Sequence, residues 1–184
     1  MKAQENAHGD ADVAPARHGR LQGVGLRLGY GQRVICDDLS VSIPNARFTA
    51  IVGPNGCGKS TLLRSLCRLM RPLAGQVSLD GRDIHQLPTR QLARRMGLLP
   101  QSSQAPAGIT VADLVARGRY PHQGLFRQWS EEDALAVSRA MAATGVADLA
   151  ECEVDQLSGG LRQRVWVALV LAQQTPLLLL DEPT

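Results

Sequence analysis

The sequence predicts an α/β fold in which a parallel core sheet carries an inserted helical unit. Three observations carry the prediction. The apolar run at 48–52 passes straight into a glycine-rich loop and then into apolar residues at helical spacing. A second apolar run, 177–180, ends in the acids Asp181 and Glu182. Between the two runs, roughly over 102–160, the pattern is mainly helical. Short runs that are apolar throughout are the expected form of strands covered on both faces of a parallel sheet.

Taken in order, residues 1–19 are polar and Ala-rich without periodicity and are expected to form a loose leader. Leu26, Leu28 and Tyr30 alternate, which predicts a strand over 21–30. The alternation returns over 38–43, and Pro44-Asn45 marks a turn. Residues 48–52 are expected to be a buried strand. Leu62, Leu63, Leu66, Leu69 and Met70 predict a helix that Pro72 closes. Val77 and Leu79 precede an Asp80-Gly81 turn, 89–96 reads as a helix, and Leu98-Leu99-Pro100 as a strand ending at Gln101. Helices are expected over 110–117 and 130–144. The second opens on Ser130-Glu131-Glu132-Asp133, close to a capping box, and is followed by Gly145. A last helix over 157–174 leads to 177–180, expected to be a fully buried strand.

A chain of 184 residues with 44% hydrophobic residues suits one packed domain. Its net charge of +3 comes from interspersed charges, so no nucleic-acid stripe stands out. The run 177–180 is far short of the roughly 20 apolar residues of a membrane span, and no signal-peptide pattern opens the chain. Cys36, Cys57, Cys67 and Cys152 form no C-x-x-C pair and are expected to be reduced. Cys57 stands inside the glycine loop beside Lys59, a candidate modification-sensitive position rather than a catalytic one.

Gly53-Pro54-Asn55-Gly56-Cys57-Gly58-Lys59-Ser60 satisfies the P-loop pattern G-x-x-x-x-G-K-[ST], with Thr61 next in the helix. Its context, after a strand and before a helix, is the one its mechanics require. The glycines let successive N–H groups turn inward onto phosphate oxygens, and the helix N-terminus adds partial positive charge. Lys59 can reach the β- and γ-phosphates of ATP, and Ser60 can offer its hydroxyl to Mg²⁺. Downstream, Asp181 at a strand end would hold Mg²⁺ through water, and Glu182 could orient or deprotonate an attacking water. Gly23-Val24-Gly25 begins like a dinucleotide fingerprint, but Leu28 occupies the third glycine position, so it reads as turn and strand.

Leu157-Ser158-Gly159-Gly160 before an amphipathic helix, followed by Leu177-Leu178-Leu179-Leu180-Asp181-Glu182-Pro183-Thr184, resembles the ABC ATPase family. With the P-loop, Tyr30 and Gln101 in the family's order, the likeness covers about 20–184. The resemblance implies a P-loop NTPase fold of the ABC type binding ATP and Mg²⁺. It implies that Tyr30 stacks on adenine and that Gln101 senses Mg²⁺ and water and connects to a membrane subunit. Ser158, Gly159 and Gly160 would form the signature loop that binds the γ-phosphate of ATP held by a second copy. The stretch Ala116-Arg117-Gly118-Arg119-Tyr120-Pro121-His122, with Gln123 and Leu125-Phe126, looks like importers of ferric siderophores, haem and cobalamin, the siderophore branch most of all. The implied partners are a second ATPase copy, integral-membrane permease subunits and, indirectly, a substrate-binding protein, with no nucleic acid. The implied place is the cytoplasmic face of the cell membrane.

Two departures qualify the resemblance. Leu161 stands where the family usually carries Gln, so a polar contact across the ATP sandwich is lost while the backbone donors remain. Function is then expected to be weakened rather than abolished. The sequence also stops at Thr184, and none of His8, His18, His85 or His122 stands where the family's switch histidine would fall. The expectation is a C-terminally incomplete ATPase that binds nucleotide weakly, aggregates and fails to complete hydrolysis alone. The alternatives are a non-catalytic fragment of such an ATPase and an ABC ATPase outside transport.

Overall fold

A computed structural model describes residues 20–101, 104–124 and 129–181. The expectations for the leader at 1–19, for Leu125-Phe126 and for Glu182 lie outside the described residues. The chain opens with β1 (Leu21–Tyr30) and β2 (Arg33–Ile43), paired antiparallel from Leu21↔Ile43 to Tyr30↔Arg33. β2 begins earlier than the alternation suggested. Asp37 and Asp38 interrupt its apolar pattern, and Asp38 takes a left-handed backbone (φ 52°) within the shifted register opposite Leu26 and Leu28. β3 (Ala74–Leu79) lies on the other edge of β1, with β4 (Arg82–Asp83) beyond it, giving the order β2-β1-β3-β4.

The parallel part of the fold is a separate pair, β5 (Met96–Leu99) and β6 (Leu177–Leu180), in register from Met96↔Leu177 to Leu99↔Leu180. Between the two sheets runs α1 (Lys59–Leu66), whose Leu62, Leu63 and Leu66 pack in one core with Leu21, Leu26, Leu28, Leu79 and Leu179. α1 is shorter than the apolar spacing predicts. The chain leaves the helix at Cys67, Arg68 turns to φ 62°, and Leu69 points outward. Arg68 then donates to the carbonyls of Ile84 and Leu87 and to Thr89 Oγ1, fastening the turn to the start of α2 (Thr89–Ala93).

Two strand expectations need correction. Residues 48–52 form no strand, and Phe48 and Val52 are 92% and 88% exposed. The backbone there has no ladder to join. A groove of about 390 Å³ separates it from β6, lined by Phe48, Ile51 and the leucines of β6. β6 is not buried throughout either: Leu179 is buried, but Leu178 and Leu180 are 37% and 38% exposed, because β5 is its only pairing partner among the described residues.

The helical unit has its own core. α3 (Val111–Ala116), α4 (Glu131–Thr144) and α5 (Gly159–Ala172) bury Val111, Leu114, Val115, Val137, Ala140, Met141, Val165 and Ala168 against each other. α4 carries the expected capping box. Ser130 accepts from the Asp133 amide while Asp133 accepts from the Ser130 amide, and Gly145 ends the helix in a left-handed turn. Thr110 caps α3 and Ser158 caps α5 by the same side-chain-to-amide logic. No helix among the described residues is long and apolar enough to cross a membrane.

Candidate functional site

The P-loop is shaped by what its glycines permit. Gly58, the N-cap of α1, sits at φ 103°, a conformation side chains rarely adopt. A Cβ there would also lie 2.7 Å from Ile35 Cγ2 and 3.1 Å from Cys36 Sγ. The loop is therefore pressed against β2. Inside the coil, the Cys57 amide donates to the Pro54 carbonyl at 3.3 Å, and the Leu62 amide begins the helix ladder on Gly58. α1 thus points its free N–H groups and the positive end of its dipole at the space above the loop.

That space is a cavity of about 360 Å³ lined by Ile35, Asn55, Gly56, Gly58, Lys59, Ser60, Thr61 and Gln101. The Lys59 ammonium donates to the carbonyls of Gly53 and Pro54 at 3.0 and 3.1 Å, so its charge is held across the mouth of the loop by the loop's own first turn. The Ser60 hydroxyl donates to Asp181 Oδ1 at 2.9 Å across 121 positions of sequence. Asp181 is 6% exposed, and its amide donates to the Leu99 carbonyl, which continues the β5–β6 ladder by one residue. The carboxylate's charge reaches behind the loop as well. Burial, with the Asp181 charge second, pushes the Cys67 thiol up to about 12 and leaves it unreactive.

The other predicted residues are placed as follows. Gly53, Pro54 and Cys57 belong to the loop but do not line its cavity, and Cys57 is exposed. Tyr30 ends β1 beside α1. Its phenol is held below its ordinary value by hydrogen bonds from Thr61 and then Arg64, whose Nη1 stands 3.4 Å from the hydroxyl. Its ring is 48% exposed and does not line the phosphate cavity. Ser158 accepts from the Leu161 amide at 3.4 Å, and Gly159 and Gly160 face open space at the exposed start of α5. This end of α5 contributes nothing to the cavity beside Lys59.

Sequence reasoning missed Ile35 and Arg64. Ile35 lies in the part of β2 hidden by the Asp37-Asp38 pair. Arg64 is one turn past Ser60 on α1, at the helical spacing that puts it on the Ser60 side.

A glycine loop coiled before a helix, with a lysine over it and a buried carboxylate on its serine, defines a P-loop nucleotide-binding domain. The chain belongs to the ABC transporter family, whose pattern matches residues 36–184. It is 58% identical over 165 residues, 90% of its length, to the ferric enterobactin transport ATP-binding protein FepC of Escherichia coli (strain K12), covering 61% of that protein. It is 52% identical over 159 residues, 86% of its length, to the iron(3+)-hydroxamate import ATP-binding protein FhuC of Bacillus subtilis (strain 168), covering 59% of that protein. The chain thus spans about three fifths of the length of these curated relatives. Among solved structures, a bacterial Atm1-family ABC exporter with ATP bound superposes with a TM-score of 0.78 at 31% identity, over 96% of this chain and 32% of that one.

Proposed function

We propose that the chain is the nucleotide-binding part of an ATP-hydrolysing subunit that energises import of an iron–siderophore complex. One observation carries the reading: Ser60 and Asp181, far apart in sequence, share a 2.9 Å hydrogen bond at the start of α1. A hydroxyl and a buried carboxylate at that separation are two hard oxygen donors beside a phosphate cradle, a donor set that suits Mg²⁺. Gln101, on the rim of the same cavity, is a third oxygen source. When bound, the ion would supply positive charge to offset that of the phosphates.

The chain's own residues do the rest. The loop amides and the N-terminus of α1 hold the phosphates in a fixed orientation. Lys59, which donates to the Gly53 and Pro54 carbonyls across the mouth of the loop, would turn to phosphate oxygens. Asp181 keeps the Ser60 hydroxyl oriented, and Glu182 is proposed to take the proton of the attacking water. Tyr30 is proposed to stack on adenine. Ser158, Gly159 and Gly160, exposed and uncovered, are proposed to bind the nucleotide of a second copy. The siderophore reading is supported by the names of the relatives at 58% and 52% identity. The remaining partners in it are permease subunits at the cytoplasmic face of the membrane and, indirectly, a substrate-binding protein.

Titration of the full chain with a fluorescent ATP analogue, with and without Mg²⁺, tests the site. Lys59→Ala is expected to lower affinity by at least about tenfold in both conditions. Asp181→Asn is expected to remove the gain that Mg²⁺ brings and to leave Mg²⁺-free affinity near that of the parent. Affinity indifferent to both changes would overturn the assignment.

A further inference from the structure

Arg119 is 1% exposed, an unusual place for a guanidinium. Its Nε donates to Asp133 Oδ1 at 2.8 Å, and Asp133 is itself 1% exposed in the first turn of α4. Its Nη1 donates to the Ala172 carbonyl at 2.8 Å and to Gln174 Oε1 at 2.9 Å. The fork thus joins the start of α4 to the end of α5, where the chain turns toward β6. The approach is close: a Cβ on the neighbouring Gly118 would lie 2.2 Å from the Leu169 carbonyl oxygen of α5.

The turn that Arg119 grips is strained. Gln174 holds φ 52° without being glycine, and its side chain is one of the acceptors of the fork. The residue before it is gripped as well. Gln173 Nε2 donates to the Ala93 carbonyl at 2.6 Å, at the end of α2, and His122 Nε2 lies 2.8 Å from the Gln173 carbonyl oxygen. From this turn the chain runs through β6 to Asp181.

Apolar packing alone leaves the register of β6 open in steps of two residues. Leu177 and Leu179 turn to the core, which opposes a one-residue slip, but a run of four leucines presents the same face after a two-residue slip. Something else must fix how far along β5 the strand lies, because a shift would carry Asp181 away from Ser60. A buried ion pair is weak evidence for stability, and its best-attested use is to specify register. We infer that Arg119, through Asp133 and Gln174, is a positioning residue for Asp181, setting the register of β6 and so the strength of metal-dependent nucleotide binding.

The nucleotide part of this inference rests on the proposed function, so the test has an arm that does not. Hydrogen exchange of the amides at 177–181 is measured on the nucleotide-free full chain, and ATP-analogue affinity is measured with and without Mg²⁺. Arg119→Lys keeps the charge but loses the fork, so it can serve Asp133 and not the end of α5 together. The exposed Gln174→Asn keeps a residue that tolerates positive φ while shortening the acceptor, and it guards against a variant that fails to fold. Both are expected to speed exchange at 177–181 by about tenfold or more while the amides at 61–66 in α1 keep parental rates. Both are expected to cut the affinity gain from Mg²⁺ about fivefold, with Mg²⁺-free affinity within about twofold of the parent.

Parental exchange at 177–181 in both variants would overturn the inference. So would equal affinity losses with and without Mg²⁺, the mark of a merely structural role. If the parent chain binds no nucleotide, the functional reading fails, and the exchange arm still decides the register claim.

Discussion

Gly58→Ala isolates the geometric demand of the phosphate loop. At φ 103° a side chain is disfavoured by about 1–3 kcal/mol. Alanine also stiffens the unfolded chain, which returns about 0.4–1 kcal/mol. The new methyl carbon would stand 2.7 Å from Ile35 Cγ2, so Ile35 must leave its rotamer at a cost of about 0.5–1.5 kcal/mol. The net expectation is a loss of about 2 kcal/mol. Urea denaturation of the parent, Gly58→Ala, Ile35→Ala and the double variant separates the two parts. In the Ile35→Ala background the closest collision is gone, and Gly58→Ala is expected to cost about 1 kcal/mol less than in the parent. If Gly58→Ala costs nothing, or costs the same in both backgrounds, the loop is not pressed against β2 and the reasoning is wrong.

Three further outcomes follow from the same structure. Ser130→Ala removes the cap of α4 and a hydroxyl that donates to Asp133 Oδ2, and is expected to cost about 1 kcal/mol by urea midpoint, against no change for the exposed Glu131→Ala. Burial pushes the Asp133 carboxyl up, but hydrogen bonds from Arg119 and Ser130 and the guanidinium charge outweigh it and hold the group below its ordinary value. A depressed carboxylate contributes stability that is present above the unfolded pKa near ~3.9 and is lost as pH falls through the folded value. Midpoints measured from pH 6 downward (a range on the order of ordinary acid titrations) should therefore fall in acid, and the fall should be smaller in Asp133→Asn. Finally, Phe48→Thr removes an apolar ring that is 92% exposed beside the groove at β6, and static light scattering at matched concentration should drop. Unchanged scattering would show that this patch does not drive association.

Much of the site is local in sequence, and that part was legible. The loop from Gly53 to Ser60 needs glycines at fixed offsets between a lead-in and a helix, so its pattern carries its own structural context. β1 starts and ends where its alternation does, and α4 shows both its capping box and its terminal glycine. What was not legible depends on neighbours. The run at 48–52 has the composition of a buried strand, but composition cannot say which backbone lies beside it, and here a groove does. Leu69 and Met70 keep helical spacing after the helix has ended, because the backbone turns at Arg68 to φ 62° and their amides both donate back to the Arg64 carbonyl. Arg119 was hidden for the opposite reason. A charged residue in a polar stretch reads as surface, and only the fold brings Asp133, Ala172 and Gln174 around it.

The two cores of the chain meet along α5, and the kinds of force differ at its two roles. Val165, Ala168 and Ala172 bury the helix in the helical unit through apolar contact, which is favourable but nearly indifferent to small sliding. Its C-terminal end is joined to α2, to the Arg117–Arg119 turn and to the start of α4 by hydrogen bonds of 2.6 to 2.9 Å, which weaken steeply when distance or angle changes. Apolar area can therefore stabilise the helical unit, but it cannot set the position of β6. That position is decided at Gln173 and Gln174, and Asp181 inherits it. A substitution in the apolar face of α5, such as Ala168→Gly, should then lower global stability and leave the Mg²⁺-dependent gain in nucleotide affinity intact. Arg119→Lys should lower that gain in affinity whatever it costs in global stability.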